Sequence, residues 1–272
     1  MPPLSRPWLI TMNAVFNSLR YAWRSRRAWW FTATARTKAR FARTALGSLW
    51  LGLSNLLSIG ALAVVYGTVF KIQDFNRYVV FLGTGLVIWN AIAASVSSAP
   101  SLFEYNSGHI KNTNLNPIFY TLEEWAFQVQ TFFQSFGLVV LALSVFQPSL
   151  FLNLFGYGLV PLLNLVLFLY WLPLILCLLG ARYRDLFQLV PIVIQLVFLL
   201  SPILYEKKTL GHLGWTADFN PFYRYLSPLR HALIQGEFKM GQSLLLLVVN
   251  FVGIWVALLL LERQRRHLPF LV

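Results

Sequence analysis

The stretch GARYRDLFQLVPIVIQLVFLLSPILYEKK, residues 180–208, sets Arg182, Arg184 and Asp185 in a tight charged knot and follows them with twenty uncharged residues, Leu186 to Tyr205. A helix of about 20 residues crosses the roughly 30 Å hydrocarbon core of a bilayer, so this stretch reads as a membrane span entered through a charged cap. Five further uncharged runs, at 45–70, 78–103, 125–147, 149–180 and 243–261, bring the expected number of spans to six. The run at 149–180 contains Pro161 and Pro173 and is expected to form one long, kinked and tilted helix. Composition agrees: with 57% apolar residues, 11% charged residues and a mean hydropathy of +0.62, a soluble 272-residue domain could not cover its surface.

The charged minority sets the orientation. Lys and Arg number 22 against 9 Asp and Glu. With the N-terminus inside, the cytosolic segments hold 15 of the 22 and the opposite segments 7, which predicts both termini in the cytosol. The excess is therefore a topology signal, and nucleic acid is not an expected partner because no basic groove motif accompanies it. Arg6, Arg20, Arg24, Arg26 and Arg27 lie among polar residues near the start, where a cleaved leader would need a short apolar core, so this segment is expected to be retained. The lone Cys177 lies inside an apolar run and is expected to serve packing. The chain divides into a basic interfacial region (1–44), a membrane domain (45–265) and a short cytosolic tail (266–272).

Three segments outside the spans carry patterns of their own. Met12, Val15, Phe16, Leu19 and Trp23 recur on one side of a helix and Asn13, Asn17, Arg20, Arg24 and Arg27 on the other, which predicts an amphipathic helix lying on the inner leaflet. Trp29, Trp30 and Phe31 follow as aromatic anchors at headgroup depth, and Arg36, Lys38, Arg40 and Arg43 as a second basic cluster. Such a cluster serves either as a solvated flank of the first span or as a phosphate-binding surface. The segment FEYNSGHIKNTNLNPIFYTLEEW (103–125) contains a short helix-capable stretch that ends at Asn116-Pro117. Its Glu104, Glu123 and Glu124 suit a protein partner, although a turn with solvated charges would have the same composition. The outward segment DFNPFYRYLSPLRHALIQGEFK (218–239) has two consecutive helix starts, Asn220-Pro221 and Ser227-Pro228, and a stop at Gly236. It predicts two short re-entrant helices before the last span, acting either as an outer gate or as a lid on the membrane surface.

None of the six expected spans contains Asp, Glu, Lys, Arg or His. Ion-coupled transporters place an ionisable group at membrane depth to drive their cycle, so secondary transport is disfavoured. No GxxxxGK[ST] phosphate loop is present, and any ATP-driven work must come from another chain. His109, His212, His231 and His267 lie in separate segments without HExxH spacing, no GxSxG turn occurs, and neither a catalytic nor a metal site is expected.

RFARTALGSLW (40–50), YVVFLGTGLVIW (78–89), NSGHIKNTNLNP (106–117), ARYRDL (181–186), SPILY (201–205) and NP with a later Arg-His-Ala-Leu (220–233) occur in that order over about three quarters of the chain. In this series the chain resembles the membrane permeases of ABC exporters for bacterial surface polysaccharides, the ABC transmembrane type-2 class. Asn114-Leu115-Asn116-Pro117 departs from the basic residues and Phe-Pro that relatives often carry there, and the leader before Arg36 is long. The resemblance implies an all-α integral membrane protein of the bacterial cytoplasmic membrane, working as a homodimer with two copies of a cytosolic ABC ATPase that binds ATP and Mg. It implies undecaprenyl-diphosphate-linked polysaccharide, most often O-antigen, as cargo, and no cofactor in this chain. Asn106, Ile110, Lys111 and Pro117 would form the helix that couples to the ATPase.

Site residues follow from chemistry and position. Arg182 and Arg184, with Arg40 and Arg43, stand where a lipid-diphosphate headgroup would arrive, and guanidinium forks match phosphate oxygens. Asp185 is expected to orient one arginine. Alternatively the two arginines fix topology and pair with Asp185. Sugars present C–H faces to aromatic rings, which makes Tyr66, Phe70, Trp89, Phe198 and Tyr205 candidates for a channel lining, against a lipid-facing or core role. Asn220, Pro221, Arg224 and Arg230 would form the outer gate. A type-2 permease for a drug or lipid shares this plan. A membrane-embedded glycosyl- or acyltransferase would need a reactive group at a membrane mouth, where only Asp185 and His109 come near.

Overall fold

A computed structural model describes residues 7–113 and 115–271; Arg6 and Asn114, both noted above, lie outside the described residues. The chain starts with two surface helices, α1 (Pro7–Arg24) and α2 (Arg26–Arg40), joined at Ser25, whose hydroxyl donates back to the Tyr21 carbonyl at 2.8 Å. The amphipathic unit is thus longer than the sequence pattern indicates, and Arg36, Lys38 and Arg40 sit on a helix. Next come α3 (Leu49–Val69) and α4 (Phe75–Ser98), the latter opened by Asp74, whose carboxylate accepts from the Arg77 N–H at 3.0 Å. A single turn at Ala99–Ser101 leads into α5 (Leu102–Tyr105) and α6 (Ser107–Asn112), and α7 (Ile118–Leu143) returns across the bundle.

The fourth apolar run forms α8 (Ser149–Asn153), a wide π turn at Leu154–Gly158 and α9 (Leu159–Arg182), one continuous apolar path of 34 residues. Then follow α10 (Leu186–Leu200), a 3-10 segment at Lys207–Leu213, α11 (Gly214–Phe219), α12 (Pro221–Gln235), α13 (Met240–Gln264) and α14 (Leu268–Leu271). Five stretches, 49–69, 75–105, 118–143, 149–182 and 240–264, are long and apolar enough to cross a membrane, and α10 is a shorter apolar helix. No strand occurs among the described residues. The protein is an all-α integral membrane protein.

Two expectations are corrected here. The helix in the run Leu186–Tyr205 is shorter than expected: α10 ends at Leu200 after 15 residues, about 22 Å of helix, because Ser201 precedes Pro202 and takes the extended conformation a pre-proline residue favours (φ −90°, ψ 137°). The Ser227-Pro228 step starts no helix either. Pro228 lies inside α12, where burial of Tyr225, Leu226, Leu229 and Leu233 along one face offsets the missing hydrogen bond. The two short helices on this side are instead α11 and α12; Asn220 and Pro221 open the second, and Gly236 closes it in the left-handed conformation (φ 66°).

α4 is the central helix, the most buried of the five long stretches, and packs against α3, α7, α9, α10 and α12. Where it kinks into α5, α9 crosses so closely that a Cβ on Gly180 would lie 2.1 Å from the Pro100 carbonyl oxygen. The membrane interior is bound together by amides rather than charges. Asn250, fully buried on α13, donates to the Asn164 side-chain and backbone oxygens at 3.0 and 3.1 Å and accepts from Trp171 Nε1 and Tyr225 OH, both at 2.9 Å. One side chain thereby links α9, α12 and α13. A second amide link joins α3, α4 and α7, with Asn90 donating to Asn55 at 2.6 Å and Asn55 to the Ser135 hydroxyl at 2.7 Å. In a solvent that offers no competing hydrogen bonds, such contacts do the joining that hydrophobic exclusion does in water.

Candidate functional site

At one end of the bundle α4 runs through the turn at Ala99 into α5, and Asn106 starts α6 with its backbone carbonyl accepting from the His109 and Ile110 N–H groups at 3.0 and 2.9 Å. Helix α6 has no buried residue and forms the tip of this elbow. Of the four residues expected to couple to a partner, Lys111 is exposed on α6 and Asn106 is half-buried. Ile110 packs inward onto the cluster of Leu102, Phe103, Ile118 and Leu268, and Pro117 is buried at the start of α7. They therefore split into a support, Ile110 and Pro117, and a presented face. Sequence reading missed Tyr105, 85% exposed, and Leu115, 43% exposed, which add apolar area to that face. Apolar side chains beside a polar cap at a water-exposed elbow are the composition of a protein contact.

The elbow is fixed from three directions. The C-terminal helix α14 packs on α6. From α1, the buried Ser18 hydroxyl accepts from Asn116 Nδ2 at 2.7 Å and donates to the Glu262 carboxylate at the end of α13. On α7, Glu124 accepts from Arg36 of α2 at 2.6 Å, Gln128 at 2.8 Å and the Ser98 hydroxyl at 3.2 Å, while Glu123 lies 3.6 Å from the same arginine. Burial opposes the charge on Arg36, but Glu124 and then Glu123 outweigh it, and its pKa is raised above the ordinary arginine value. The guanidinium also stands 4.1 Å from the Phe127 ring centroid.

The expectation that Glu104, Glu123 and Glu124 form an acidic patch for a partner is therefore corrected. Glu124 is 7% exposed, and its carboxylate is taken up by Arg36, Gln128 and Ser98 within the chain. The third one, Glu104 on α5, accepts from Arg184 Nη2 through both its oxygens, at 3.0 and 3.1 Å. This is a second correction: the partner of Arg184 is Glu104, 80 residues away, not the adjacent Asp185, whose backbone instead starts α10. The charged knot is thus tied directly to the elbow. Arg182 remains exposed beside the Tyr183 ring, and Arg40 and Arg43 are exposed at the end of α2 and just beyond it.

The five candidate lining aromatics do not form one stripe. Trp89 is 3% exposed, packed between Phe198 at 5.6 Å and Phe222 at 6.0 Å in the core of a single chain. Tyr66 and Phe70 pair at 5.5 Å on α3 and just past its end. Tyr205 donates to the Leu199 carbonyl at 2.9 Å, and it lines, with Phe70, a cavity of about 620 Å³ at the end of the bundle opposite the elbow. Of the expected gate residues, Arg230 alone is in the cavity's lining. Asn220 caps α12 and donates to the Ser201 hydroxyl at 2.6 Å, Pro221 occupies the first helical position, Arg224 donates to the Asp218 carbonyl at 2.7 Å, and Arg230 is buried against the cavity.

Five apolar helices, α3, α4, α7, α9 and α10, the elbow between α4 and α7 and the helices α11 and α12 all lie within residues 30–234, the part of the chain that matches the ABC-2 type transporter family. The chain belongs to that family. It is an ABC-2 type permease, the membrane-spanning part of a transporter. Two proteins of Klebsiella pneumoniae, each named "O-antigen export system permease protein RfbA", are similar to it. One is 25% identical over 234 residues, 84% of this chain and 88% of its own length. The other is 28% identical over 205 residues, 73% of this chain and 77% of its own. The ABC-2 type permease is a transport subunit, a role that calls for no bond-breaking chemistry in this chain.

Proposed function

We infer that this ABC-2 permease moves lipid-linked polysaccharide, most closely of the O-antigen class, outward across the bacterial cytoplasmic membrane, as a homodimer bound to two copies of a separate ATPase that holds the ATP and Mg. The observation that carries the reading is the similarity to two O-antigen export permeases, one of which aligns over 88% of its length. The elbow supports it. In this reading both termini and α6 face the cytosol, and Tyr105, Lys111 and Leu115 meet the ATPase.

The link from force to cargo then needs few parts. Closure of the ATPase displaces α6; α5 moves with it through Asn106; and Glu104 draws on Arg184, so the junction of α9 and α10 shifts together with the elbow. A rigid short helix of this kind passes a small displacement to the spans it is joined to. Arg182 and Arg184 offer guanidinium forks to the lipid diphosphate at that junction. Replacing Tyr105 and Lys111 together by alanine tests the assignment: the ATPase should fail to co-purify and surface polysaccharide should fall at least tenfold. Unchanged co-purification with unchanged export would refute it.

A further inference from the structure

The cavity of about 620 Å³ opposite the elbow lies between the start of α4, the segment after α10 and α12, and holds a buried arginine on which the Glu206 carboxylate of its wall acts only from beyond ion-pair distance. Arg230 is 3% exposed, yet no carboxylate lies within ion-pair distance of it among the described residues. Its Nη1 donates to the Pro202 carbonyl at 3.0 Å and its Nη2 to the Tyr223 hydroxyl at 3.4 Å, and its guanidinium carbon stands 4.0 Å from the Phe81 ring centroid. Every partner is neutral. A guanidinium has five N–H donors, and taking one out of water without a direct counter-ion is costly, so donors left over at the cavity favour an anionic occupant. Space has been left for the group: a Cβ on Gly85 would come within 3.2 Å of Arg230 Nη1.

The remaining lining fits one kind of occupant. Arg77, Lys207 and Lys208 join Arg230 against two carboxylates, Asp74 and Glu206, which leaves the cavity positive. Asp74 is already engaged as the cap of α4, and Lys207 pairs with Asp218 outside the cavity. Tyr78, Tyr205 and Tyr223 supply ring faces. A fixed guanidinium beneath aromatic walls suits a phosphate ester that carries a sugar-sized group, with oxyanions on the arginine and C–H faces on the rings.

The geometry points to a binding site for a phosphate or diphosphate ester at this end of the permease, centred on Arg230 and separate from the charged knot. The export reading would make it the last contact of the leaving headgroup, but the site itself rests on the cavity alone. Its test needs neither partner nor transport. The full chain, in nanodiscs of phosphatidylcholine, is dialysed to equilibrium against radiolabelled pyrophosphate. One pyrophosphate per chain is expected, with affinity lowered at least tenfold by Arg230→Gln, less by Arg230→Lys, and at least threefold by Arg77→Gln with Lys208→Gln; Lys239→Gln, outside the cavity, serves as the control. If Arg230→Gln does not fold, the Arg77 and Lys208 pair decides. Repetition in phosphatidylglycerol discs separates the sources: displaced pyrophosphate marks a membrane headgroup as the occupant, and undiminished binding marks a diphosphate arriving with cargo. Binding that is absent, or insensitive to all these changes in folded protein, overturns the proposal, whereas a permease that binds pyrophosphate but moves no glycan would overturn only the export reading.

Discussion

At the elbow end, Glu104, Glu123, Glu124 and Glu262 each lie within 4 Å of an arginine, whereas at the opposite end the most buried arginine, Arg230, stands among a carbonyl, a phenol and rings. The elbow pairs join elements far apart in sequence, α2 to α7 and α5 to the start of α10, and so act as fasteners. Arg230 fastens too, but its direct partners are all neutral and the Glu206 carboxylate acts on it only from beyond ion-pair distance. One end of the molecule is fastened by ion pairs between distant elements, and the other holds its buried arginine without one.

The largest effect should come from breaking the fastened end at its closest packing. In Gly180→Ala the added methyl would overlap the Pro100 carbonyl, and because backbone must shift, the cost should reach about 3 kcal/mol, seen as loss of the monodisperse peak in detergent chromatography. Glu124→Ala comes next. It removes the acceptor that Arg36, Gln128 and Ser98 share, leaving each a longer, poorer contact, and should lower stability by roughly 2 kcal/mol in a thermal unfolding assay. Asn250→Leu, midway between the ends, should cost about 1 kcal/mol, the usual worth of interhelical hydrogen bonds in a membrane.

The smallest stability change is expected at the most informative site. Arg184 and Glu104 are partly exposed, so a double-mutant cycle on the pair should give a coupling of only about 0.2–1 kcal/mol. If the pair transmits motion, Glu104→Gln should nonetheless reduce export severalfold while ATPase activity of the complex persists. Equal loss of both would make the pair a simple brace and dissolve the contrast between the two ends.

Much of this was legible in the sequence, because length and hydropathy alone decide which segments can cross a bilayer. The long spans, the surface helix with its basic side and the elbow after the second span all follow from uncharged runs and helical spacing. The miss at α10 had a local signal, the Ser201-Pro202 step, which an unbroken apolar run through Tyr205 obscured. Asn220-Pro221 and Ser227-Pro228 offered the same local chemistry, and only the burial of one face of α12 distinguishes a helix start from a proline carried within. Arg184 was read with its neighbour Asp185 because a partner 80 residues away leaves no trace in spacing. The buried carboxylate of Glu124 and the burial of Arg230 without a direct ion pair were invisible for the same reason: both are properties of an assembled environment.

The hydrogen bonds through Ser18 carry a consequence for how the protein is made. Asn116 beside the elbow is fixed through a side chain near the beginning of the chain, and that side chain is fixed in turn by Glu262, 244 residues later. A nascent permease therefore cannot finish this surface until its last helix has left the ribosome and inserted. Anything that reads the completed surface would ignore half-built copies, and synthesis itself would decide when assembly begins.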